Sequence, residues 1–383
     1  MVVTLSMAAG CTKPTGAESL DRLVILDANR RVVTMTPDGG KPTFISNEGD
    51  IGFQPTWSPD GTHIAYSYTT PDGDFGMAVA DVDTGEVHEA PVPLPVFYLH
   101  WSPDSARVGT LRNDMPGGIA FEIVTLGESG LETEHVDSGS SYYFSWSPRG
   151  EDIAVHVGAD RMDVIHSGDL RPVDDAPGGF QAPQWIDTGI ISVGIGSGRP
   201  VVTRFDVDGR PDPLVEVTGD TAFQVSPDAA RLAVQSSGGP GLAVSQQVAD
   251  PLRPNRVHTV DLATGEVDEV LDHLVAGFWW SPDGERLLLV DAIGGERPQL
   301  VWRIWENEAV TDGPGFQPDP SWFRELLPFI DQYNRSMTPW APDSTTFAFP
   351  GSVDGEAGIW VHDVDSGTTK RVADGTWVAW SPS

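Results

Sequence analysis

Apolar and polar positions alternate in short stretches along most of this chain, with turn residues between them. Runs such as His63–Tyr68 (HIAYSY), Arg107–Arg112 (RVGTLR), Asp152–Val157 (DIAVHV) and Arg231–Ser236 (RLAVQS) have the length and branched-chain content of buried strands. Arg286–Asp291 (RLLLVD) and Thr346–Gly351 (TFAFPG) belong to the same series. A second run follows and often ends in an acidic turn, as in Met77–Glu86 (MAVADVDTGE), Val257–Glu266 (VHTVDLATGE) and Ile359–Thr368 (IWVHDVDSGT). A shorter run then leads into the next unit. The pattern predicts an all-β chain built from repeated antiparallel units.

A turn motif ahead of each unit fixes the period. It reads TWSPDG at Trp57, HWSPDS at Trp101, SWSPRG at Trp146, QVSPDA at Val225, WWSPDG at Trp280, PWAPDS at Trp340 and AWSPS at Trp380. A degenerate copy, QWIDTG, places Trp185 in phase. Successive positions differ by 44, 45, 39, 40, 55, 60 and 40 residues. Ser, Pro, Asp and Gly suit the four positions of a type I turn: Pro presets φ, Ser and Asp cap nearby N–H groups, and Gly closes the turn. Trp ends the strand before it, where its ring can fill the space against the next unit. Four strands in roughly forty residues is the arithmetic of a propeller blade.

Over residues 20–383 the motif resembles the TolB-type family of WSPDG-repeat β-propellers. The resemblance implies a β-propeller, and the eight motif positions predict eight blades, or seven if the region around Trp185 forms none. It is nearly silent on chemistry, because one fold hosts many functions. After Trp380 only Ser-Pro-Ser remains, so the last unit has a first strand and no more. Residues 22–29, 30–40 and 41–46 read as second, third and fourth strands with no motif before them. The two ends are therefore expected to complete one blade and leave no free sheet edge.

Composition narrows the setting. Gly 42 and Pro 32 suit a turn-rich β protein, and Trp 13 with Phe 15 supply a large core. The formal net charge is −33, from 56 acidic and 23 basic residues, which disfavours nucleic acid and anionic lipid as partners. The sole cysteine, Cys11, rules out an intrachain disulfide and follows Ala8-Ala9-Gly10. That tetrapeptide resembles a bacterial lipobox, although position −3 holds Ala8 where Leu is usual and no basic residue precedes it. The resemblance implies acylation at Cys11, residues 1–19 as signal remnant and tether, and an extracytoplasmic, membrane-anchored protein. The family's namesake carries a separate N-terminal domain, for which the stretch from Cys11 to Leu23 is too short. Generic binding of an envelope protein or glycan by a monomer is the expectation.

The two long spacings mark insertions at 236–255 and 316–336, both on the face opposite the SPDG turns. The second predicts a helix capped by Asp319, with Pro320 at its first position and Pro328 dividing or kinking it. It reads either as a plug over the channel mouth or as the edge of a partner site, with Trp322, Phe323, Arg324, Phe329 and Tyr333 as the candidate contacts. On the second reading, a Gly-Ser linker replacing 318–335 abolishes capture and leaves the fold intact.

Catalytic signatures are sparse. No G-x-S-x-G elbow, P-loop or dinucleotide fingerprint occurs, and the nine His form no HxH or HxxxH pair. The DVDTGE-like turns lack the terminal Glu spacing of an EF-hand and keep a fixed phase, so they read as strand connections. No catalytic residue, metal ligand or cofactor is assigned. The alternative is a metal-dependent hydrolase or cyclase using ligands scattered around a propeller channel.

Overall fold

The computed structural model describes residues 21–382 apart from 116, 159–160, 175–176, 197, 238–254, 295–298 and 327–328. Cys11, the 1–19 tether and nearly all of the 236–255 insertion lie outside the described residues. β1 (Leu23–Leu26), β2 (Val32–Met35) and β3 (Thr43–Phe44) begin the chain. Five four-stranded antiparallel sheets follow, each in chain order. The first contains β4 (Ile51–Trp57), β5 (His63–Thr69), β6 (Phe75–Asp81) and β7 (Val87–Val92). The second contains β8 (Val96–Trp101), β9 (Arg107–Asp114), β10 (Gly118–Gly127) and β11 (Gly130–Gly139). Next come β12 (Tyr142–Trp146), β13 (Asp152–Val157), β14 (Arg161–His166) and β15 (Asp169–Asp174). The region around Trp185 builds a full sheet from β16 (Gln184–Ile186), β17 (Gly189–Gly196), β18 (Arg199–Phe205) and β19 (Pro211–Glu216). The fifth contains β20 (Thr221–Val225), β21 (Arg231–Ser236), β22 (Arg256–Asp261) and β23 (Val267–Leu271).

The next sheet has seven strands: β24 (Gly277–Trp280), β25 (Leu287–Ile293), β26 (Gln299–Glu306), β27 (Ala309–Pro318), β28 (Thr346–Val353), β29 (Glu356–Asp363) and β30 (Thr368–Ala373). Here β27 overruns its unit and pairs Gln317 and Pro318 with Ser352 and Gly351 of β28. The first strand expected at Trp340 is reduced to a single bridge, Trp340 to Phe347. Last, β31 (Trp377–Trp380) pairs antiparallel with β1, from Leu23–Trp380 to Leu26–Trp377. That sheet runs β3-β2-β1-β31, so the first and last strands of the chain lie side by side. Successive meanders of this kind, with first strands packed together around a centre, are a β-propeller.

Side-chain burial follows from that layout. Middle strands such as β13 and β21 are almost wholly buried between neighbouring sheets, and their sequences are correspondingly apolar. Outermost strands are largely exposed, as in β11 and β15. In the outer pairs β10–β11, β14–β15, β18–β19, β22–β23 and β29–β30 the register shifts, leaving Val136, Val173, Leu214, Val270 and Val372 as extra residues on the outer strand. Such bulges twist an edge away from further pairing.

The repeated turns work as the motif suggests. At Ser58–Gly61 the Gly61 N–H donates to Ser58 O at 2.9 Å, while Ser58 Oγ donates to Asp60 at 2.6 Å and accepts from His63 N at 2.9 Å. The same bonds form at Ser102, Ser226 and Ser281. The fourth position is left-handed, with φ 71° at Gly61, 59° at Ser105, 57° at Ala229 and 60° at Ser344. The indoles of the tryptophans bond to the preceding unit and not, as expected, the next, because each reaches back to a carbonyl of the first strand before it. Indole Nε1 of Trp101, Trp146, Trp280 and Trp340 donates to Thr56 O, His100 O, Gln224 O and Trp279 O at 3.0–3.2 Å. The arginines opening three second strands clamp the following unit: Arg107 and Arg231 donate to Gly150 O and Gly284 O, and Arg286 to Ser344 O.

Candidate functional site

The 316–336 insertion folds into two short helices, α1 (Pro320–Glu325) and α2 (Ile330–Ser336). Asp319 caps α1 by accepting from Ser321 N at 2.8 Å, and Pro320 occupies the position where a missing N–H costs nothing. The division falls beside Pro328, which itself lies outside the described residues. Trp322 and Leu326 are buried against Trp279, Trp302 and Phe316, which anchors α1 to the wall.

α2 occupies the channel and bonds to the first strand of one sheet after another. Gln332 treats β12 as a strand would: its Oε1 accepts from Phe144 N at 3.0 Å and its Nε2 donates to Phe144 O at 2.9 Å. Tyr333 OH donates to Phe97 O at 2.7 Å and accepts from Gln54. Gln224 donates to Asn334 O at 2.7 Å, Arg335 to Trp185 O at 3.4 Å, and Trp279 Nε1 to Met337 O at 3.1 Å. Tyr98 OH donates to Ser336 Oγ at 2.9 Å. Every first strand from β4 to β24 is therefore tied to α2 or to Met337, which follows it, through polar groups that are mostly buried.

On the face that carries the insertion, α1 and α2 border a cavity of about 470 Å³. Phe97, Tyr143, Phe180 and Phe329 present partly exposed rings to it, and Arg324 with Glu325 stand at its edge. Tyr143 and Phe180 stack with centroids 4.4 Å apart and planes 12° from parallel, making one flat aromatic wall. Glu325 is paired with Arg30 at 3.3 Å, whereas Arg324 is exposed and, among the described residues, donates only its Nε, to Pro320 O. Burial pushes the Tyr143 hydroxyl up to about 12, so it stays a neutral donor. Burial also pushes the Asp331 carboxyl up to about 7.

The five candidate contacts divide. Arg324, Phe329 and Tyr333 line the cavity, with Phe329 49% exposed and Tyr333 buried in its floor. Trp322 is an anchor in the core, and the side chain of Phe323 lies outside the described residues. Because α2 fills the channel, replacing 318–335 with a linker removes core as well as surface, contrary to the expectation of an intact fold. The motif tryptophans Trp57, Trp101, Trp146, Trp185, Trp280, Trp340 and Trp380 are all buried. Sequence reasoning missed Gln54, Tyr98, Gln224 and Gln332; the only signal was a polar group inside strands that otherwise read as core, or, for Gln332, inside the apolar insertion helix. Among the described residues no three His, Cys, Asp or Glu converge as metal ligands. Asp81 and Asp261 of the acidic turns accept backbone N–H bonds at 2.7 Å from Thr84 and Thr264, which holds both carboxyls below the usual range.

No family model matches the chain, and no curated protein sequence is similar to it. Among solved structures it is similar to a eukaryotic initiation factor, with TM-score 0.53 and 10% identity over 96% of this chain and 99% of that one. It is also similar to TolB from Acinetobacter baumannii, with TM-score 0.41 and 16% identity over 75% of this chain and 61% of that one. The chain thus spans 61% of the length of that TolB. For oligogalacturonate lyase from Vibrio parahaemolyticus the TM-score is 0.47, at 9% identity over 68% of this chain and 80% of that one. The first of these likenesses bears on the fold alone.

Proposed function

We propose that this chain is a non-catalytic, TolB-like binding module of the cell envelope, anchored through Cys11, that captures a protein or glycan partner on its insertion-bearing face. The carrying observation is the aromatic cavity of about 470 Å³ edged by Phe329 and Arg324. A flat Tyr143–Phe180 wall suits the apolar face of a sugar ring or an inserted side chain, and Arg324 retains donors for a polar group beside it. The ring itself reads as eight blades, the seven-stranded sheet counting as two. The β1–β31 pairing supports closure, as does the packing of β1 and β31 against β4 and of β31 against β28.

The test is site-specific photocrosslinking in native envelopes from position 329, with position 83 on the opposite face as control. The reading expects one adduct from position 329, absent from position 83 and lost in Tyr143→Ala. Equal labelling from both positions, or labelling indifferent to Tyr143, would sink it. Anchoring is tested separately: a clickable palmitate analogue labels the wild type and not Cys11→Ser. The alternative channel hydrolase or cyclase predicts stoichiometric metal in the purified protein.

A further inference from the structure

α2 ends inside the channel, and its last residues form the floor of a second cavity on the SPDG-turn face. That cavity measures about 340 Å³. Its walls include the side chains of Trp57, Trp101, Trp340 and Trp380, together with His100. Arg335 lies on the floor, where solvent reaches it although protein surrounds it. Among the described residues its guanidinium donates only to neutral acceptors, Ser145 Oγ at 3.2 Å and Trp185 O at 3.4 Å.

This arginine has no carboxylate partner among the described residues. Arg112, Arg286 and Arg303 each have one: Arg112 meets Glu122 at 2.7 Å, Arg286 meets Glu306 at 3.0 Å, and Arg303 meets Asp291 at 2.9 Å, whereas Arg231 rests on Gly284 O and the rings of Trp280 and Trp305. In a chain with 56 acidic and 23 basic residues, an exposed cation on a cavity floor left without an acid is against the odds of composition. Removing it from bulk water is also unfavourable, and that burial brings Arg335 down to about 10, still protonated at neutral pH. Neighbouring His100 is held down to about 3 by burial and supplies no competing charge. The missing counter-charge has room to arrive from outside.

We infer that this cavity is a binding site for a small organic monocarboxylate, its carboxylate on Arg335 and its apolar, planar body against the tryptophan wall. A guanidinium accepts a carboxylate through two parallel bonds. The apolar walls favour a body that stacks, and a cavity of this size is within the range of small-molecule sites. A net charge of −33, with Asp60, Asp283 and Asp343 in the surrounding turns, repels multiply charged anions more strongly than a single carboxylate. The site lies on the face opposite the proposed partner cavity and does not depend on it.

The experiment is a tryptophan-fluorescence titration of the full chain with 3-phenylpropionate and its uncharged isostere 3-phenylpropanamide, alongside thermal melts with each. The acid should give a saturable change and raise the melting temperature, with the amide at least roughly tenfold weaker. Arg335→Gln should weaken the acid by about the same factor and leave the amide unchanged. Thr338→Trp, which fills the cavity from an exposed position, should block both probes if Arg335→Gln fails to fold. The inference is overturned if acid and amide bind alike, if Arg335→Gln keeps wild-type affinity, or if neither probe saturates below about 10 mM.

Discussion

The fourth residue of each repeated turn shows how one position can serve two ends. A left-handed backbone is nearly free for Gly61, Gly150 and Gly284 but strained for Ser105, Ala229 and Ser344. The two serines recover something for that strain: Ser105 Oγ accepts from Asp60 N at 3.0 Å, and Ser344 Oγ from Asp283 N at 3.1 Å, each stapling one unit to the one before. Ala229 has a side chain that can make no such bond. Ala229→Gly should therefore stabilise the fold by about 0.5–1 kcal/mol, whereas Ser105→Gly should gain nothing, as read from chemical-denaturation midpoints. Asp331 gives a pH dependence of definite sign. Its carboxyl titrates near 3.8 when unfolded and about 7 when folded, so between those values the native state binds more protons and stability falls as pH rises. Asp331→Asn should be more stable than wild type at pH 8, by on the order of 2 kcal/mol once partial exposure is allowed for, and the gap should close below about pH 4.

At the scale of elements, α2 is a core component reached from the channel side. Gln332→Leu keeps the volume but strands the N–H and C=O of Phe144 without partners, which should cost about 2–4 kcal/mol in a urea melt. A Gly-Ser linker replacing 318–335 should do worse, lowering the midpoint by more than any single substitution in the insertion. The helix was legible in the sequence, with its Asp319 cap and its break near Pro328, because capping and proline act locally. Its position was left open between a plug and an edge, because Gln54, Gln224 and Gln332 make their bonds to and from the helix across separations of 110 to 279 residues that no local pattern encodes. The WSPD turns were readable for the opposite reason: Ser, Pro, Asp and Gly close their bonds within five residues. One local signal went unread. The extra residues on the outer strands, Val136, Val173, Val270 and Val372, each stand one or two places before an Asp, as in PVDD, EVLD and RVAD, and those bulges recur unit by unit.

Across the whole molecule, the arrangement joins residues that the chain separates most widely. Beyond the four-residue ladder between β1 and β31, Arg22 N donates to Ser381 Oγ at 2.9 Å and Ser381 N to Arg22 O at 2.8 Å. Ending the chain after Gly375 should expose the inner edge of β1 and replace one cooperative melt with an earlier, broader transition in calorimetry. The order of synthesis gives that seam a further importance. Leu23–Leu26, all four side chains buried in the finished protein, meet β2 soon after synthesis, yet the neighbour on their other edge, β31, is translated after all the other described strands. Until then the β1–β2 hairpin keeps one open apolar edge, the kind that holdase chaperones grip and that aggregates when they do not. Vectorial, unit-by-unit folding cannot finish this protein; its first strand must wait, protected, for its last.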